Sequence, residues 1–392
     1  MGLCNLPLGA YGAVMLVTLP QLLAANGVPE PKIASVTAIG LIPSFCAFLL
    51  APILDWRFSR RFYAIVFAGL AALLLVAALV SIHKLELLTV FLFLGMTAVI
   101  LYVAAIGGWF GSLISAEDKS RLGAWFAVAN MGGGGLTALT AIILLRGLPF
   151  GVGEALLALL MLAPLPVFAF LPAPGADRRL ASESFRMFFR DVLALFGNRS
   201  VLWTLLLFTM PAASFALTNT LGGLGRDFGA SEQMVGIVAG VGLTLTGTIS
   251  CLLVPPAIRT IPPRVLYLLI GSLGALFTLT LLRLPRTPAF FALALPGQDA
   301  FQAAAFAVEN TIILRTIGER NPLASTQYAL LAAAPSFPIA YMQVVDGAAY
   351  GVGGISGSYL ADGAISLTAC AILASLFWFA RQLEPEGESA GT

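Results

Sequence analysis

Twelve long apolar segments recur along the 392-residue chain, and they constrain its fold more than any other feature. A membrane helix needs about 20 mostly apolar residues. The predicted spans are 3–25, 33–54, 62–82, 87–114, 122–145, 155–171, 201–224, 234–258, 265–283, 289–315, 323–345 and 357–380. Only 10% of the residues are charged, against about 25% in an average soluble domain. We therefore predict an all-α protein with 12 transmembrane helices.

Basic residues indicate the orientation of these spans, because cytoplasmic loops carry an excess of Lys and Arg. With both termini in the cytoplasm, the inner loops hold most of the Lys and Arg, among them Arg57, Arg60, Arg61, Lys119 and Arg121. No basic residue precedes the first apolar segment, so we expect a retained span rather than a cleaved signal peptide. The prediction is a multi-pass protein of a bacterial inner membrane.

The longest polar stretch, 172–200, divides the chain into two parts. We predict an N-terminal six-helix bundle over 1–171, a cytoplasmic linker over 172–200 and a C-terminal six-helix bundle over 201–392. Within the linker, 185–193 alternates apolar and basic residues at helical spacing. This pattern indicates an amphipathic helix on the inner membrane surface, or a solvated interdomain linker.

The two parts resemble copies of each other. An offset of 203 residues pairs Pro52 with Pro255 and Arg61 with Arg264. Internal repeats of this kind, with a substrate site near the midplane between them, are typical of secondary transporters.

The loop after the second span, Ala51–Arg61, contains a small residue, an Asp at the helix end and a basic pair. It resembles the signature loop of the major facilitator superfamily, although Ser59 replaces the usual glycine and the spacing is one residue longer. The resemblance implies a major facilitator fold and a cytoplasmic latch formed by Asp55, Arg57, Arg60 and Arg61. The alternative is that these arginines contribute only positive-inside charge.

A second resemblance lies in the eleventh span. Ser325–Leu331 reads Ser-Thr-Gln-Tyr-Ala-Leu-Leu and is similar to a run in the AmpG-type muropeptide permeases and their relatives. The chain lacks the extra spans of the muropeptide permeases, so its size resembles that of the siderophore importers in this group. The resemblance implies a proton-coupled importer of an iron–siderophore complex. The alternatives are a muropeptide, peptide or acyl-CoA permease, or a drug exporter.

Three acidic residues lie inside or at the edge of apolar segments: Asp299, Glu309 and Asp362. A buried charge in a bilayer is costly and is usually retained for function. A carboxylate desolvated there could take up a proton at physiological pH, which a proton-coupled carrier requires. We predict proton coupling at these three residues, against the alternative that Asp299 and Glu309 are structural. Asp346 and Asp362 bracket a glycine-rich outer loop, where we expect Asp346 to cap a helix.

Polar and aromatic residues within the spans are candidates for lining a substrate cavity. Asp299, Gln302, Phe306 and Asn310 share one face of the tenth span. The predicted lining residues are Gln298, Gln302, Asn310, Gln327, Tyr328, Tyr102, Asn130, Asn219, Tyr341 and Gln343. For each of them, ordinary helix–helix contact is the alternative.

Other classes of function find little support. His83 is the only histidine and the four cysteines are widely separated, so we expect no metal, no cofactor and no enzymatic activity. The net charge of +2 gives no reason to expect a nucleic-acid partner. A channel would need neither a latch loop nor a protonatable carboxylate at the midplane. The expected partners are a small-molecule substrate, protons and the lipid bilayer, and we expect a monomer.

Overall fold

The computed structural model describes residues 1–149, 151–172, 185–221, 224–318 and 321–382. Every regular element in these ranges is a helix. Nine of the described helices are long and apolar enough to cross a membrane, and one bent helix pair brings the number to ten. The chain is therefore a multi-pass membrane protein built from α-helices.

The first six helices follow the predicted spans closely. They are α1 (Gly2–Ala25), α2 (Glu30–Asp55), α3 (Arg60–Val80), α4 (Leu85–Leu113), α5 (Lys119–Gly147) and α6 (Val152–Ala169). Turn chemistry separates them: Gly27 adopts φ 74° before α2, and the Ser59 hydroxyl caps α3 by accepting a hydrogen bond from Phe62 N at 3.2 Å.

The helices from residue 185 onwards are less regular. They are α7 (Phe185–Ala194), α8 (Arg199–Thr209), α9 (Leu217–Leu221), α10 (Gln233–Ile258), α11 (Pro263–Leu281), α12 (Pro288–Thr316), α13 (Ala324–Ala333) and α14 (Ser336–Gln382). The amphipathic helix predicted within the linker corresponds to α7. Val192 and Leu195 from this segment pack on Leu323, just before α13.

The difference between the twelve predicted spans and the nine counted helices has three sources. Residues 190–209 form a bent pair, with an angle of 69° at its break. Helix α12 is 29 residues long, but Asp299, Glu309 and Arg315 lower its hydropathy. The last two predicted spans are continuous enough to count as one helical segment, Ala324–Ala380.

The seventh predicted span, 201–224, is interrupted. Helix α8 ends at Thr209 and α9 begins at Leu217, and the segment between them is buried except for the half-buried Met210. Side chains satisfy two of its carbonyls: Cys370 Sγ donates to Ala212 O at 3.3 Å, and Gln302 Nε2 donates to Phe215 O at 3.4 Å. Irregular backbone at membrane depth requires such protein partners.

The predicted outer loop over 347–359 is reduced to a tight turn at Gly354: two helices of α14 meet there and the chain reverses, since the Ser358 hydroxyl donates to Asp346 O at 2.8 Å. Those residues are helical within α14, and Gly354 interrupts the helix with φ 59° and ψ −155°, a conformation open to glycine because it has no Cβ. The prediction that Asp346 caps a helix end is wrong, because Asp346 lies buried inside a helical part of α14. Its two carboxylate oxygens find no hydrogen-bond donor among the described residues.

Glycines allow α1 and α5 to come into close contact. A Cβ on Gly9 of α1 would lie 1.8 Å from the carbonyl oxygen of Asn130 in α5. A Cβ on Gly133 would lie 2.8 Å from Leu6 O. Gly133, within the four-glycine run 132–135, therefore allows α5 to pack closely against α1, as the composition of the run indicates.

Candidate functional site

A cavity of about 550 Å³ lies between the N-terminal helices α1–α6 and the C-terminal helices α10–α14. Its walls come from α1, α2, α4 and α5 on one side, and from α10, α12, α13 and the start of α14 on the other. Most of the lining is apolar. The lining residues with polar side-chain groups are Asn5, Ser44, Asn130, Thr244, Asp299, Glu309, Asn310, Tyr328 and Ser336.

Asp299 lines this cavity from α12 and is 3% exposed. The Thr246 hydroxyl of α10 donates a hydrogen bond to Asp299 Oδ2 at 2.9 Å. Gly247 permits this approach, because a Cβ there would already lie 3.2 Å from the same oxygen. The carboxylate is thus held between α10 and α12 and is not exposed to lipid.

Glu309 lines the cavity ten residues further along α12, which corresponds to about 15 Å of helix rise. Its Oε1 accepts a hydrogen bond from the Tyr267 hydroxyl of α11 at 3.2 Å. The next residue, Asn310, accepts a hydrogen bond from the Tyr328 hydroxyl of α13 at 3.2 Å. Two carboxylates therefore lie at different depths along one wall, each fixed by a neutral hydroxyl.

Of the ten predicted lining residues, the structure brings three to the cavity: Asn130, Asn310 and Tyr328. The other seven lie elsewhere. They are Gln298, Gln302, Gln327, Tyr102, Asn219, Tyr341 and Gln343.

Four of these seven make buried structural contacts. Gln298 donates to the Thr278 hydroxyl, and Gln302 donates to the carbonyl of the interrupted seventh span. Tyr102 donates to Cys4 O at 2.6 Å, and Gln327 donates to Thr316 O at 3.0 Å. These bonds use a side-chain donor of each residue to hold helices together, although Gln298 Oε1 is buried without a hydrogen-bond partner among the described residues.

The remaining three lie nearer the protein surface. Asn219 is exposed on the short helix α9. Tyr341 is 40% exposed and donates to Thr209 O at 2.9 Å. Gln343 is half-buried in α14. Sequence periodicity could not distinguish these positions from cavity positions, because it does not show which face of each helix is turned towards the cavity.

Asp362 is 2% exposed but does not line the cavity. It lies beside the other buried carboxylate of α14, Asp346: the hydroxyl of Ser358, one turn before Asp362, donates to Asp346 O at 2.8 Å. The Oδ1 atom of Asp362 has no hydrogen-bond partner among the described residues. A role for Asp362 in proton coupling stays a prediction.

The Asp55 carboxylate joins the end of α2 to the start of α13, about 270 residues later. Its Oδ2 accepts hydrogen bonds from Thr326 N at 2.7 Å and from the Thr326 hydroxyl at 2.8 Å, and its Oδ1 accepts from Ser325 N at 3.3 Å. These amides belong to the first turn of α13, where a carboxylate is favoured by the helix dipole. We call Asp55, Arg60, Ser325 and Thr326 the latch cluster.

Arg60 completes the latch cluster. Its Nε donates to Asp55 Oδ1 at 2.8 Å, and its Nη2 donates to Asn321 O at 2.9 Å and Pro322 O at 3.0 Å. Nearby, Lys119 Nζ donates to Ile317 O at 2.8 Å. In the described chain, Arg57 and Arg61 form no ion pair, so the structure brings only Asp55 and Arg60 of the four predicted latch residues together.

Two glycines close this end of the protein tightly. A Cβ on Gly107 of α4 would lie 2.4 Å from the Tyr328 ring, and a Cβ on Gly108 would lie 2.4 Å from the Ser325 hydroxyl. Both partners belong to α13. The cavity is therefore sealed, at the end that carries the latch cluster, by direct contact between α4 and α13; we call this the latch end.

Sequence reasoning missed several partners. Thr246, Tyr267 and Thr326 each hold one of the acidic residues, but a single Thr or Tyr in an apolar span carries no signal of its partner. Thr326 lies within the run that carries the AmpG-type resemblance, which was the only signal available for it.

The fold is similar to that of solved major facilitator structures. The proton:xylose symporter XylE, bound to 6-bromo-6-deoxy-D-glucose, gives a TM-score of 0.73 at 14% identity, covering 95% of this chain and 94% of that one. The human organic anion transporter MFSD10 gives 0.70 at 17% identity, covering 95% and 97%. The fucose:proton symporter FucP of E. coli gives 0.68 at 14% identity, covering 96% and 97%. The chain therefore has the major facilitator fold.

A bacterial homologue of the iron transporter ferroportin, in an outward-facing state with soaked iron, gives a TM-score of 0.66 at 14% identity, covering 96% of this chain and 97% of that one. No protein-family profile matches the chain, and the search of curated proteins found no match. At these identities the comparisons establish the fold alone.

Proposed function

We propose that this protein is a proton-coupled secondary transporter that moves a medium-sized solute across the inner membrane by alternating access. The observation that carries the proposal is the cavity between the two groups of helices, which holds Asp299 and Glu309 and is sealed at the latch end. Cavities of 300–1,000 Å³ are the usual size for small-molecule sites. Two of the proteins that share the fold are proton symporters.

The proposed cycle rocks the bundles 1–171 and 201–392 about the cavity. With the orientation predicted from basic residues, the latch end is cytoplasmic and the described state faces outward. Opening to the cytoplasm would break the bonds from Asp55 to α13 and from Arg60 to Asn321 O and Pro322 O. The latch cluster would thus stabilise one state selectively, which is the requirement for a two-state switch.

The proposed coupling uses the two carboxylates on α12. A carboxylate is tolerated as an anion while the cavity contains water, and the neutral acid is favoured when the cavity closes and desolvates it. Proton binding at Asp299 would therefore promote the change between states. Asp299 is the primary candidate because it lines the cavity between the two bundles, where its hydration must change as the cavity opens and closes.

The nature of the cargo and the direction of transport rest on the sequence. The resemblance of 325–331 to AmpG-type permeases and the chain length favour import of an iron–siderophore complex. A muropeptide, peptide or acyl-CoA permease, or a drug exporter, remains the alternative.

The test needs no knowledge of the cargo. Spin-label pairs are placed across the latch end (Phe58→Cys with Thr260→Cys) and across the opposite end (Lys32→Cys with Arg283→Cys), with Cys46→Ser as background. Lowering the pH from 8 to 5 should lengthen the first distance and shorten the second, measured by pulsed electron paramagnetic resonance in nanodiscs.

The Asp299→Asn variant should lose this response to pH, and Glu154→Gln, which alters a buried carboxylate away from the cavity, should keep it. Distances that ignore pH in the unmodified protein, or that respond equally in Asp299→Asn, would show that the coupling role is wrong.

A further inference from the structure

The charge of the cavity wall is one-sided. Among the described residues that line it, two are acidic, Asp299 and Glu309, and none is Lys, Arg or His. A solute in this cavity would therefore meet negative groups without a compensating cation. In a site shielded from water, opposite charges attract and like charges repel far more strongly than in solution.

The protein leaves part of each carboxylate for the solute. Asp299 Oδ2 accepts from Thr246 and Glu309 Oε1 accepts from Tyr267, and both donors are neutral hydroxyls. The other carboxylate oxygens, Asp299 Oδ1 and Glu309 Oε2, accept no hydrogen bond within the described chain. Neither is among the polar atoms that are fully buried without a partner. Each carboxylate thus presents an open acceptor to the cavity.

The rest of the wall suits an apolar body. Aliphatic, thioether and aromatic side chains surround the carboxylates, and they include Leu8, Met96, Ile100, Met131, Leu243 and Phe306. Met131 lies beside the Asp299 site, since its Cγ and Asp299 Oδ2 both fall within 4 Å of the Cβ position of Gly247. Methionine side chains adapt their shape and accept varied apolar surfaces.

Resting on the transport function proposed above, we infer that the solute is an amphiphilic cation: an apolar or aromatic body that carries a positive group. The positive group lies along α12 between Asp299 and Glu309, and the body packs against the wall that contains Met96, Met131 and Phe306. Anionic solutes of the same size, which include muropeptides and acyl-CoA, are rejected because nothing in the described lining offsets their charge. Of the cargoes proposed above, a cationic iron–siderophore complex, a cationic peptide or a cationic drug meets this requirement.

Three probes of similar shape and different charge test this inference. They are the tetraphenylphosphonium cation, neutral triphenylphosphine oxide and the tetraphenylborate anion. Equilibrium dialysis of radiolabelled tetraphenylphosphonium against the purified protein should show saturable binding. Unlabelled tetraphenylphosphonium should compete, and tetraphenylborate should compete no better than the neutral probe.

A matched pair of double variants assigns the site. Asp299→Asn with Glu309→Gln should weaken tetraphenylphosphonium binding by about tenfold or more, the range expected for losing charged partners. Asp346→Asn with Glu154→Gln removes the same amount of charge from buried positions away from the cavity and should leave binding unchanged.

The inference is overturned if tetraphenylphosphonium shows no saturable binding, if tetraphenylborate displaces it as well as the unlabelled cation does, or if the cavity double variant binds normally. The distance response to pH separates this result from the proposed function. A protein that changes state with pH and does not bind the cation keeps the transport proposal and loses the cation. A protein that binds the cation and does not respond to pH keeps the cation and loses the coupling.

Discussion

The Asp55 carboxylate is bonded twice to Thr326, through the backbone N at 2.7 Å and through the hydroxyl at 2.8 Å. The two residues are 271 positions apart in the chain and lie on opposite sides of the seam between the two groups of helices. The pair is buried, since Asp55 is 1% exposed and Thr326 is 5% exposed. A bond at this place distinguishes the closed latch end from any open arrangement.

Replacing Asp55 with Asn should weaken the closed latch end. The change leaves the buried Arg60 guanidinium without its anion, and breaking a buried ion pair typically costs about 3–5 kcal/mol. The distance between labels at Phe58→Cys and Thr260→Cys should shift towards longer values. The control is Asp118→Asn, whose pair with Arg121 is exposed and should contribute at most about 1 kcal/mol. An unchanged distance distribution in Asp55→Asn would contradict the latch.

Adding a methyl group at Gly107 should hold the latch end apart. A Cβ there would lie 2.4 Å from the Tyr328 ring, so α4 and α13 could not keep their present contact. A maleimide reagent applied from the latch end should then label Ala332→Cys, which lines the cavity, faster than in the Ala332→Cys protein that keeps Gly107. The control is Gly69→Ala in α3, where nothing lies within 4 Å of the added atom. Equal labelling rates in the two variants would mean that the glycine contact does not seal the cavity.

Shortening Leu195 should loosen the linker from the latch end. Val192 and Leu195 pack on Leu323, which lies directly between Pro322 and the start of α13. We expect Leu195→Ala to lower the free energy of unfolding by about 1–2 kcal/mol and to raise the open population at the latch end. Leu193→Ala removes the same atoms from a side chain that is 55% exposed and should have little effect. Thermal unfolding together with the label distances measures both, and identical behaviour of the two variants would contradict this docking.

Replacing Asp362 with Asn should leave the fold as stable or make it more stable at neutral pH. The carboxyl is buried and its Oδ1 has no hydrogen-bond donor among the described residues, so the ionised form carries a desolvation cost that the amide avoids. A gain of about 1 kcal/mol would raise Tm by roughly 2–4 °C. Glu154→Gln should do the opposite, because Glu154 Oε2 accepts from Gly151 N at 2.8 Å and a weaker acceptor destabilises the start of α6. A clear fall in the Tm of Asp362→Asn would show that the carboxylate has a stabilising partner.

The sequence predicts the parts of this protein that depend on local pattern. Apolar length locates the helices, and the charged residues of the tenth span indicate a wet interior. Asp299 and Glu309 could therefore be identified from the sequence as acidic residues inside a membrane span. Asp55 and Arg60 were recognisable because their spacing resembles a known loop.

Other features depend on contacts between distant segments, and local pattern does not encode them. The interruption between Thr209 and Leu217 falls in a stretch as apolar as its neighbours, and it persists because Cys370 and Gln302 satisfy the freed carbonyls. The glycine-rich stretch 347–359 has the composition of a loop, but it is helical except at Gly354. Which of the buried amides and tyrosines would face the cavity depended on helix rotation, which packing decides.

The 271-residue separation of Asp55 and Thr326 also has a consequence for biosynthesis. At translation rates of about 5–20 residues per second, the ribosome adds Thr326 roughly 15–55 s after Asp55. During that interval the nascent first six helices must insert and survive in the bilayer with Arg60 as the one basic side chain among the described residues that pairs with Asp55. Their stability at that stage has to come from packing among themselves, through their shared apolar core and the glycine contacts between α1 and α5.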